Sequence, residues 1–567
     1  MSFADTGIPV AERSENLNPF PTVGLWASRL LVVLALLAQI FVAWRFWAIT
    51  WDDSAITLGF ARTFAHTGRI EPTPGSGIVE GYSTTLWMLL MALAAKGISS
   101  PSALLAFAKI STLVLNLTNV VLIRRWFLTW TPEMLANLVA GTVGCTWMFY
   151  ETINGMETPL ILTLVLAMLL LFAAQSQAGR FGYVVAGCLL LLLRWEAAWL
   201  LVPFVLAERN RRRLVFPVLS WILLFLLSNL ARWLYFGDLL PNTILAKRHF
   251  PYSAPSLQIA VTNRLLEPVK ILYDAKVFLA LLAAYVLYRV LVAKVPTFSF
   301  DRLKRVFRES WQLRFTVLFV LFCLVLSTAI GPNWGPEFRS FYPAWPFLIG
   351  LLPPPVLPNL TPKAMGWVTV ALCLFTVLRM EARIQPLRSE KAPMYMPRIT
   401  VERVGTAVPI LTELQRASGQ TTLTYAAPDM GAVMLFSNHV RVIDLGLLCD
   451  RVLAHEGFVA VRSYVLEQRQ PDVIEVHEIF TQTTKLGSDP EFVEQYRPVY
   501  IQGIRFFLNR RLLSRLPASR LIEREFLPDG SAQSAEREAF QRSNAPYPYI
   551  PLDNTLNQSF HTYLVLQ

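Results

Sequence analysis

Charged residues are scarce in this sequence. Asp, Glu, Lys and Arg make up 16% of its 567 residues, against roughly 25% in a soluble globular chain. With 54% of residues hydrophobic and a mean hydropathy of +0.44, that shortage excludes a protein whose apolar side chains are all hidden in a water-soluble core, and lipid must act as a second solvent. Cysteine is scarce as well. Of five residues, Cys145, Cys188, Cys323 and Cys373 lie in hydrophobic runs and Cys449 stands apart, so no disulfide framework is expected. Acid is in deficit, 39 Asp and Glu against 51 Lys and Arg, which leaves a formal charge of +12. The chain from Glu381 onward is close to neutral, so the excess cation belongs to the hydrophobic portion. That placement suits lipid topology, and no nucleic-acid partner is expected.

What is present is a series of apolar blocks near the length of a bilayer crossing, such as Leu30 to Ile49, Ser102 to Ile123 and Leu214 to Tyr235. They predict about eleven transmembrane helices, near 27–49, 104–123, 133–150, 157–175, 180–193, 196–207, 214–236, 270–293, 313–331, 341–358 and 364–380. The first block follows a polar segment without a small-residue cleavage site and reads as an uncleaved signal anchor. After Met380 the pattern changes to short alternating stretches broken by Pro, Gly, Asn and Asp. The expected architecture is therefore a cytoplasmic N-terminal segment over 1–26, an all-α polytopic membrane domain over 27–380 and a soluble α/β domain over 381–567.

Basic residues orient the bundle. With the N-terminus inside, the inner loops carry Arg124 and Arg125, then Arg180, then Arg209, Arg211, Arg212 and Arg213, then Lys294, Arg302, Lys304, Arg305 and Arg308. The 180–207 region is short for two spans, and Arg194 and Glu196 interrupt its middle, so two short helices are expected to meet near the outer face. The apolar stretch from Ser83 to Lys96 is too short to span and reads as an interfacial helix. An odd number of crossings sends the C-terminal domain outside, with the loops at 51–103, 151–157, 237–269 and 332–340.

The chemistry-bearing residues fall on that same side. Trp51-Asp52-Asp53-Ser54-Ala55-Ile56-Thr57 sets two adjacent carboxylates at the membrane edge, ahead of an amphipathic run through Phe60, Ala61 and Phe64. Acids there are costly unless solvated or used, although Asp is also favoured at a helix N-terminus for its own sake. The loop runs on through Pro72-Thr73-Pro74-Gly75-Ser76-Gly77 to Val79-Glu80-Gly81-Tyr82-Ser83-Thr84-Thr85-Leu86-Trp87.

The acidic pair, the helix ending His66-Thr67-Gly68, and Val-Glu-Gly-Tyr before a Leu-Trp helix resemble the first extracytoplasmic loop of membrane-embedded GT-C glycosyltransferases. The nearest resemblance is to mycobacterial terminal β-(1→2) arabinofuranosyltransferases and their bacterial relatives. Further matches follow in order: Asn154-Gly155-Met156-Glu157-Thr158-Pro159-Leu160, Arg194-Trp195-Glu196, Leu240-Pro241-Asn242-Thr243-Ile244-Leu245-Ala246-Lys247 and Glu337-Phe338-Arg339-Ser340-Phe341-Tyr342-Pro343. Two departures stand out: the family usually has Arg-Pro-Glu at Arg194-Trp195-Glu196, and an Arg-Tyr-Ala-Arg-like run at Gly59-Phe60-Ala61-Arg62.

The resemblance implies a GT-C fold in a bacterial plasma membrane and transfer of a sugar from a polyprenyl phosphate, with arabinofuranose or a similar pentose favoured over a hexose. The acceptor implied is a cell-envelope glycan or glycolipid, a protein being the alternative. On this reading Asp52 takes the acceptor proton or stabilises the oxocarbenium-like centre, and Asp53 orients Asp52 or a bound divalent metal ion. Arg339 would clamp the donor phosphate through two parallel contacts, or else serve as a snorkelling anchor. Lys247, Arg248 and His249 would attract the anionic donor, or simply form a solvated face. Asn242, in the same motif as Lys247, and Tyr82, in the same motif as Glu80, are likewise implied to bind donor or substrate. Glu80 and Glu157 would contact sugar hydroxyls or hold helix ends, and Arg194 and Glu196 would bind substrate or pair structurally.

The soluble portion reads strand, helix, strand through Thr421–Ala426, Pro428–Phe436 and Val440–Gly446, like the α/β module of the same family, with acceptor recognition as its expected role. Asp429, His439, Asp444 and Asp450 show no metal-ligand spacing. A transporter or lipid flippase would also carry intramembrane charge, but no inverted repeat is visible. A non-catalytic envelope assembly protein would have little use for both Asp52 and Asp53.

Overall fold

A computed structural model of the chain describes residues 22–174, 176–249, 257–276, 279, 309–330, 339–351, 362–388, 400–527, 532–533 and 559–566. The first helix, α1 (Thr22–Arg45), is apolar through its length, and side chains such as Trp26, Leu30, Leu37 and Trp44 stand exposed along it. A short turn leads to α2 (Asp52–Thr67), which Gly68 ends in the left-handed conformation, its N–H bonding to the Phe64 carbonyl. Then come α3 (Thr85–Gly97) and α4 (Pro101–Leu128). Pro101 opens α4 where a missing N–H costs nothing, and the Ser100 hydroxyl caps the Ala103 amide.

The remaining helices of this half are α5 (Glu133–Gly144), α6 (Phe149–Asn154), α7 (Thr158–Ala173), α8 (Gln177–Leu193), α9 (Val202–Ala207), α10 (Arg211–Phe236), α11 (Asn242–Ala246), α12 (Leu257–Asp274), α13 (Trp311–Ile330), α14 (Trp345–Leu351) and α15 (Pro362–Arg388). Among the described residues four helices are long and apolar enough to cross a membrane by length and composition: Val23–Arg45, Pro101–Leu128, Arg211–Phe236 and Trp311–Ala329. Gly144 lets α5 close on α1, since a Cβ there would lie 2.8 Å from that of Ala35.

Several boundaries differ from the sequence expectation. The predicted 133–150 helix is two helices, α5 and α6, with a turn between. The predicted 196–207 helix is a 3-10 segment, Trp195–Leu201, followed by α9, and Arg194 at its head is extended (φ −145, ψ 142). A 3-10 segment, Arg339–Ala344, opens the stretch predicted as 341–358, which is described as far as α14. Of the helix predicted over 270–293, residues 270–274 belong to α12, which begins at Leu257 and ends at Asp274, and most of the remainder lies outside the described residues. So do Glu337 and Phe338, the residues Lys294, Arg302, Lys304, Arg305 and Arg308 expected on an inner loop, and most of the 1–26 segment.

The C-terminal half is built on a seven-stranded sheet of order β2-β1-β3-β5-β4-β7-β6. The strands are β1 (Leu423–Ala427), β2 (Val440–Asp444), β3 (Val473–Ile474), β4 (Tyr496–Ile501), β5 (Ile504–Asn509), β6 (Leu521–Glu525) and β7 (Thr562–Leu566). β1 lies parallel to both β2 and β3, and β4 and β5 form a tight hairpin turned by Gln502 and Gly503, both at positive φ. Helices α16 (Val401–Gly405) and α17 (Ala407–Ser418) precede β1, and α18 (Gly431–Phe436) links β1 to β2. One apolar core is shared by the two halves and runs from Leu58 and Phe60 of α2 through Trp87 of α3 to Tyr425, Met434 and Leu435. The sheet domain is thus packed onto the helical domain over α2.

Candidate active site

The end of α1, the start of α2 and the entry into the C-terminal domain meet at one place. Trp51 bridges Thr400 in an antiparallel pairing, and the Val401 amide donates to the Thr50 carbonyl at 2.9 Å. The buried ammonium of Lys109, from α4, ties this joint by donating to the Thr50 hydroxyl (2.8 Å) and to the Ile49 and Trp47 carbonyls.

From that joint α2 runs alongside α18 and grips it at both ends. Asp52, 3% exposed, accepts the amides of Gly431 (2.6 Å) and Ala432 (2.7 Å). Ten residues on, Arg62 donates to the Leu435 carbonyl at 2.8 Å and to the Asn438 side chain. The acid meets the positive end of α18 and the cation its negative end. Gly59 lies between them, where an added Cβ would approach the Met434 Cβ to 2.7 Å. The departure at Gly59-Phe60-Ala61-Arg62 from the family pattern is therefore a docking surface for the sheet domain.

Asp53 has the opposite environment. It is exposed, forms no hydrogen bond among the described residues, and feels the charges of Arg339, Lys247, Asp429 and Glu157. The protein hemming it in raises its carboxyl above the ordinary range, against the opposing pull of Arg339 and Lys247. Burial raises Asp52 well above that range too, and the charge of Asp429 adds to the rise while the Gly431 and Ala432 amides oppose it. Each Asp52 oxygen accepts one amide of α18, a structural use beside the expected one as acceptor of the hydroxyl proton.

Lys247 follows α11 directly, is exposed, and has no hydrogen-bond or ion-pair partner among the described residues. Its packing lowers its pKa, and Arg194, Glu196, Asp53 and Arg339 surround it electrostatically. Behind it lies a buried network. Glu157, fully buried, takes Arg194 (2.8 Å) and Arg339 (2.7 Å) on the same oxygen. Arg194 also pairs with Glu196 at 2.5 Å, and the Arg339 Nε donates to Thr158 at 3.0 Å. The Nε–Nη2 edge of the Arg339 guanidinium is thus spent inside the protein. A two-pronged contact with a phosphate is left to its Nη1–Nη2 end.

The other predicted residues are mostly structural. Glu80 is buried and pairs with Arg232 at 2.6 Å, with the Thr85 hydroxyl at 3.4 Å. Tyr82 is buried edge-on against Phe60, 5.1 Å between ring centroids. The Asn242 side chain donates to the carbonyls of Leu447, Leu448 and Asp450 and so fastens α11 to the C-terminal domain. Arg248 is exposed, and His249 packs on the sheet domain with its Nε2 3.1 Å from the Ala454 carbonyl.

In the sheet domain, Asp444 accepts the Gly446 and Cys449 amides, and Asp450 caps the turn at Leu453 and takes the Tyr464 hydroxyl. His439 is exposed. Asp429 differs. It hydrogen-bonds His477 at 2.7 Å, and its charge reaches Asp52 and Asp53. Sequence spacing offers no warning of His477 or of Arg232, because each is brought to its partner by the fold from far along the chain. Among the described residues no group of three or more His, Cys, Asp or Glu side chains is gathered as a metal site.

No family model matches this chain, and no curated protein matches it. Among solved structures it is similar to the crystal structure of ArnT from Cupriavidus metallidurans bound to undecaprenyl phosphate. The identity is 10% and the TM-score 0.49, over 80% of this chain and 94% of that one. A likeness at that level carries no argument about function, which rests on the site itself.

Proposed function

We propose that this chain is a GT-C-type glycosyltransferase of the bacterial plasma membrane that moves a sugar from a polyprenyl phosphate to a hydroxyl of a cell-envelope glycan or glycolipid, on the extracytoplasmic side. The sugar favoured by the motif resemblance is arabinofuranose or a similar pentose. The observation that carries the reading is the pair Asp53 and Lys247: opposite charges, both exposed, within electrostatic reach of one another, and neither paired. Charges so placed ordinarily close on each other or on a neighbour, and two left open suit a ligand that brings both a hydroxyl and a phosphate.

The roles follow from which groups are open. The acceptor O–H gives its proton to Asp53, the oxygen bonds to the anomeric carbon, and the bond from that carbon to the phosphate oxygen breaks. The departing polyprenyl phosphate gains charge, which Lys247 meets as a point cation. Arg194, Glu157 and Arg339 hold the floor of the site, and Asp52 keeps the sheet domain seated beside it.

The test is release of sugar from a panel of radiolabelled polyprenyl-phosphate donors by purified protein in detergent, with Asp53→Asn beside the wild type. Consumption of one donor by the wild type and not by the variant supports the reading. A wild type that consumes none, with envelope glycans supplied as acceptors, removes it.

A further inference from the structure

The parallel strands run in the order β2-β1-β3. From β1 the chain passes through α18 to β2 on one side, and from β2 it returns to β3 on the other side of β1. Connections that leave a strand in opposite directions open a crevice at the carboxyl ends of the strands, where open α/β sheets bind ligands. Asp429 lies two residues past the end of β1 and His477 three past the end of β3, so both stand at this crevice.

The side chains there are arranged as a row. Asp429 Oδ2 bonds His477 Nε2 at 2.7 Å, His477 Nδ1 faces a Glu475 oxygen at 3.7 Å, and the Tyr425 hydroxyl donates to the other Glu475 oxygen. His477 is 7% exposed and its Nδ1 has no hydrogen-bond partner, whereas Asp429 and Glu475 reach solvent with side chains 18% and 26% exposed. A buried imidazole thus stands behind two carboxylates at the surface. The Asp429 Oδ1 accepts no hydrogen bond among the described residues. The row lies beside the transfer site, because Asp429 is two residues from Gly431, whose amide is 2.6 Å from Asp52, the neighbour of Asp53.

We propose that this crevice is the acceptor site: Asp429, held by His477, binds hydroxyls of a neutral glycan and presents one of them to Asp53. The inference rests on the glycosyltransferase reading and adds to it the part played by the sheet domain. Carboxylates repel an anionic lipid and accept hydrogen bonds from neutral diols, so the site is divided by charge. The donor phosphate belongs on the Lys247 side and the uncharged acceptor on the Asp429 side. Asp429 touches the acceptor, and His477 acts through it as a positioning residue.

The experiment uses the full chain in detergent, an octyl-capped arabinofuranosyl disaccharide as acceptor probe and polyprenyl-phosphoryl arabinofuranose as donor. Asp429→Asn is expected to raise the acceptor KM by about tenfold to a hundredfold, the weight of hydrogen bonds to a charged group, with the donor KM unchanged. His477→Gln moves the acceptor KM the same way. An unchanged acceptor KM, or a donor KM that rises in step with it, overturns the proposal while leaving the transferase reading intact. If the wild type transfers nothing, that reading has failed, and saturation-transfer NMR of the same disaccharide decides the crevice separately. Signal from the wild type and from Asp53→Asn, lost in Asp429→Asn, supports it, and equal signal in all three or none in the wild type overturns it.

Discussion

The carboxylate of Asp52 lies 2.6 Å from the amide nitrogen of Gly431, 379 residues along the chain. Through that contact the first acid of the Asp52-Asp53 pair becomes part of the seam between helices and sheet, and the second is left facing the opening. The two residues are neighbours in sequence, yet α2 turns successive side chains about 100° apart, enough to place one in the seam and one outside it.

Substituting Asp52 should therefore act on stability before chemistry. Asp52→Ala leaves two amides of α18 without an acceptor, and losing hydrogen bonds to a charged group costs about 1.5–3 kcal/mol each. A lowered Tm in detergent, partly restored by Asp52→Asn, is the expected outcome. Unchanged Tm with lost transfer would return the proton-accepting role to Asp52.

Asp53→Asn should cut transfer by about 10² to 10⁴-fold, the usual weight of a general base, and leave Tm close to wild type because the side chain makes no internal hydrogen bond. The proton acceptor must be ionised, and its surroundings raise its pKa. The acid limb of the kcat/KM profile should accordingly fall at a pH above the ordinary aspartate value of about 3.9.

Lys247→Gln should raise the donor KM by about tenfold with a smaller change in kcat, since the phosphate is charged before transfer begins as well as after. Steady-state kinetics at two salt concentrations check this. A fall in kcat alone would show that the lysine acts only on the departing phosphate.

Arg339 and Glu157 form a buried pair with side chains 12% and 0% exposed. Arg339→Ala should destabilise by about 3–5 kcal/mol, because a buried carboxylate loses one of its cations. The double variant Arg339→Met with Glu157→Gln should recover much of that loss. Thermal unfolding of the wild type and these two variants measures the loss and its recovery.

The His477 imidazole supplies a pH dependence. Burial alone would lower its pKa, but its hydrogen bond to Asp429 and the nearby Glu475 carboxylate outweigh burial and hold it up to about 10. A histidine raised in the folded state contributes stability in full below its unfolded value of about 6.5 and loses it as pH rises through about 10. The wild type should lose stability across that interval more steeply than His477→Gln, as read by Tm against pH.

Much of the helical half was legible in the sequence. Runs such as Val23–Arg45 and Arg211–Phe236 need no partner to be recognised, because length and hydropathy are local properties that lipid reads directly. The acidic pair at Asp52-Asp53, the interruption at Arg194 and the change of character after Met380 were visible for the same reason: each is a contrast with its immediate neighbours. The split of 133–150 into α5 and α6 was not, since the run stays apolar across the turn and periodicity gives it no mark.

What only the tertiary structure decided is which polar groups are free. Asp52 and Asp53 are the same residue type in the same motif, and their difference depends on two amides at Gly431 and Ala432. Glu80 and Asn242 carry functional groups that could serve a substrate, but Arg232 and the carbonyls near Leu448 hydrogen-bond them. Asp429 and His477, 48 residues apart, meet because β1 and β3 are adjacent strands. The sequence by itself determined where polar groups stand along each element, through local propensity and hydropathy. Whether such a group is paired or open depends on contacts between distant segments, and those are set only when the helices and the sheet close on one another.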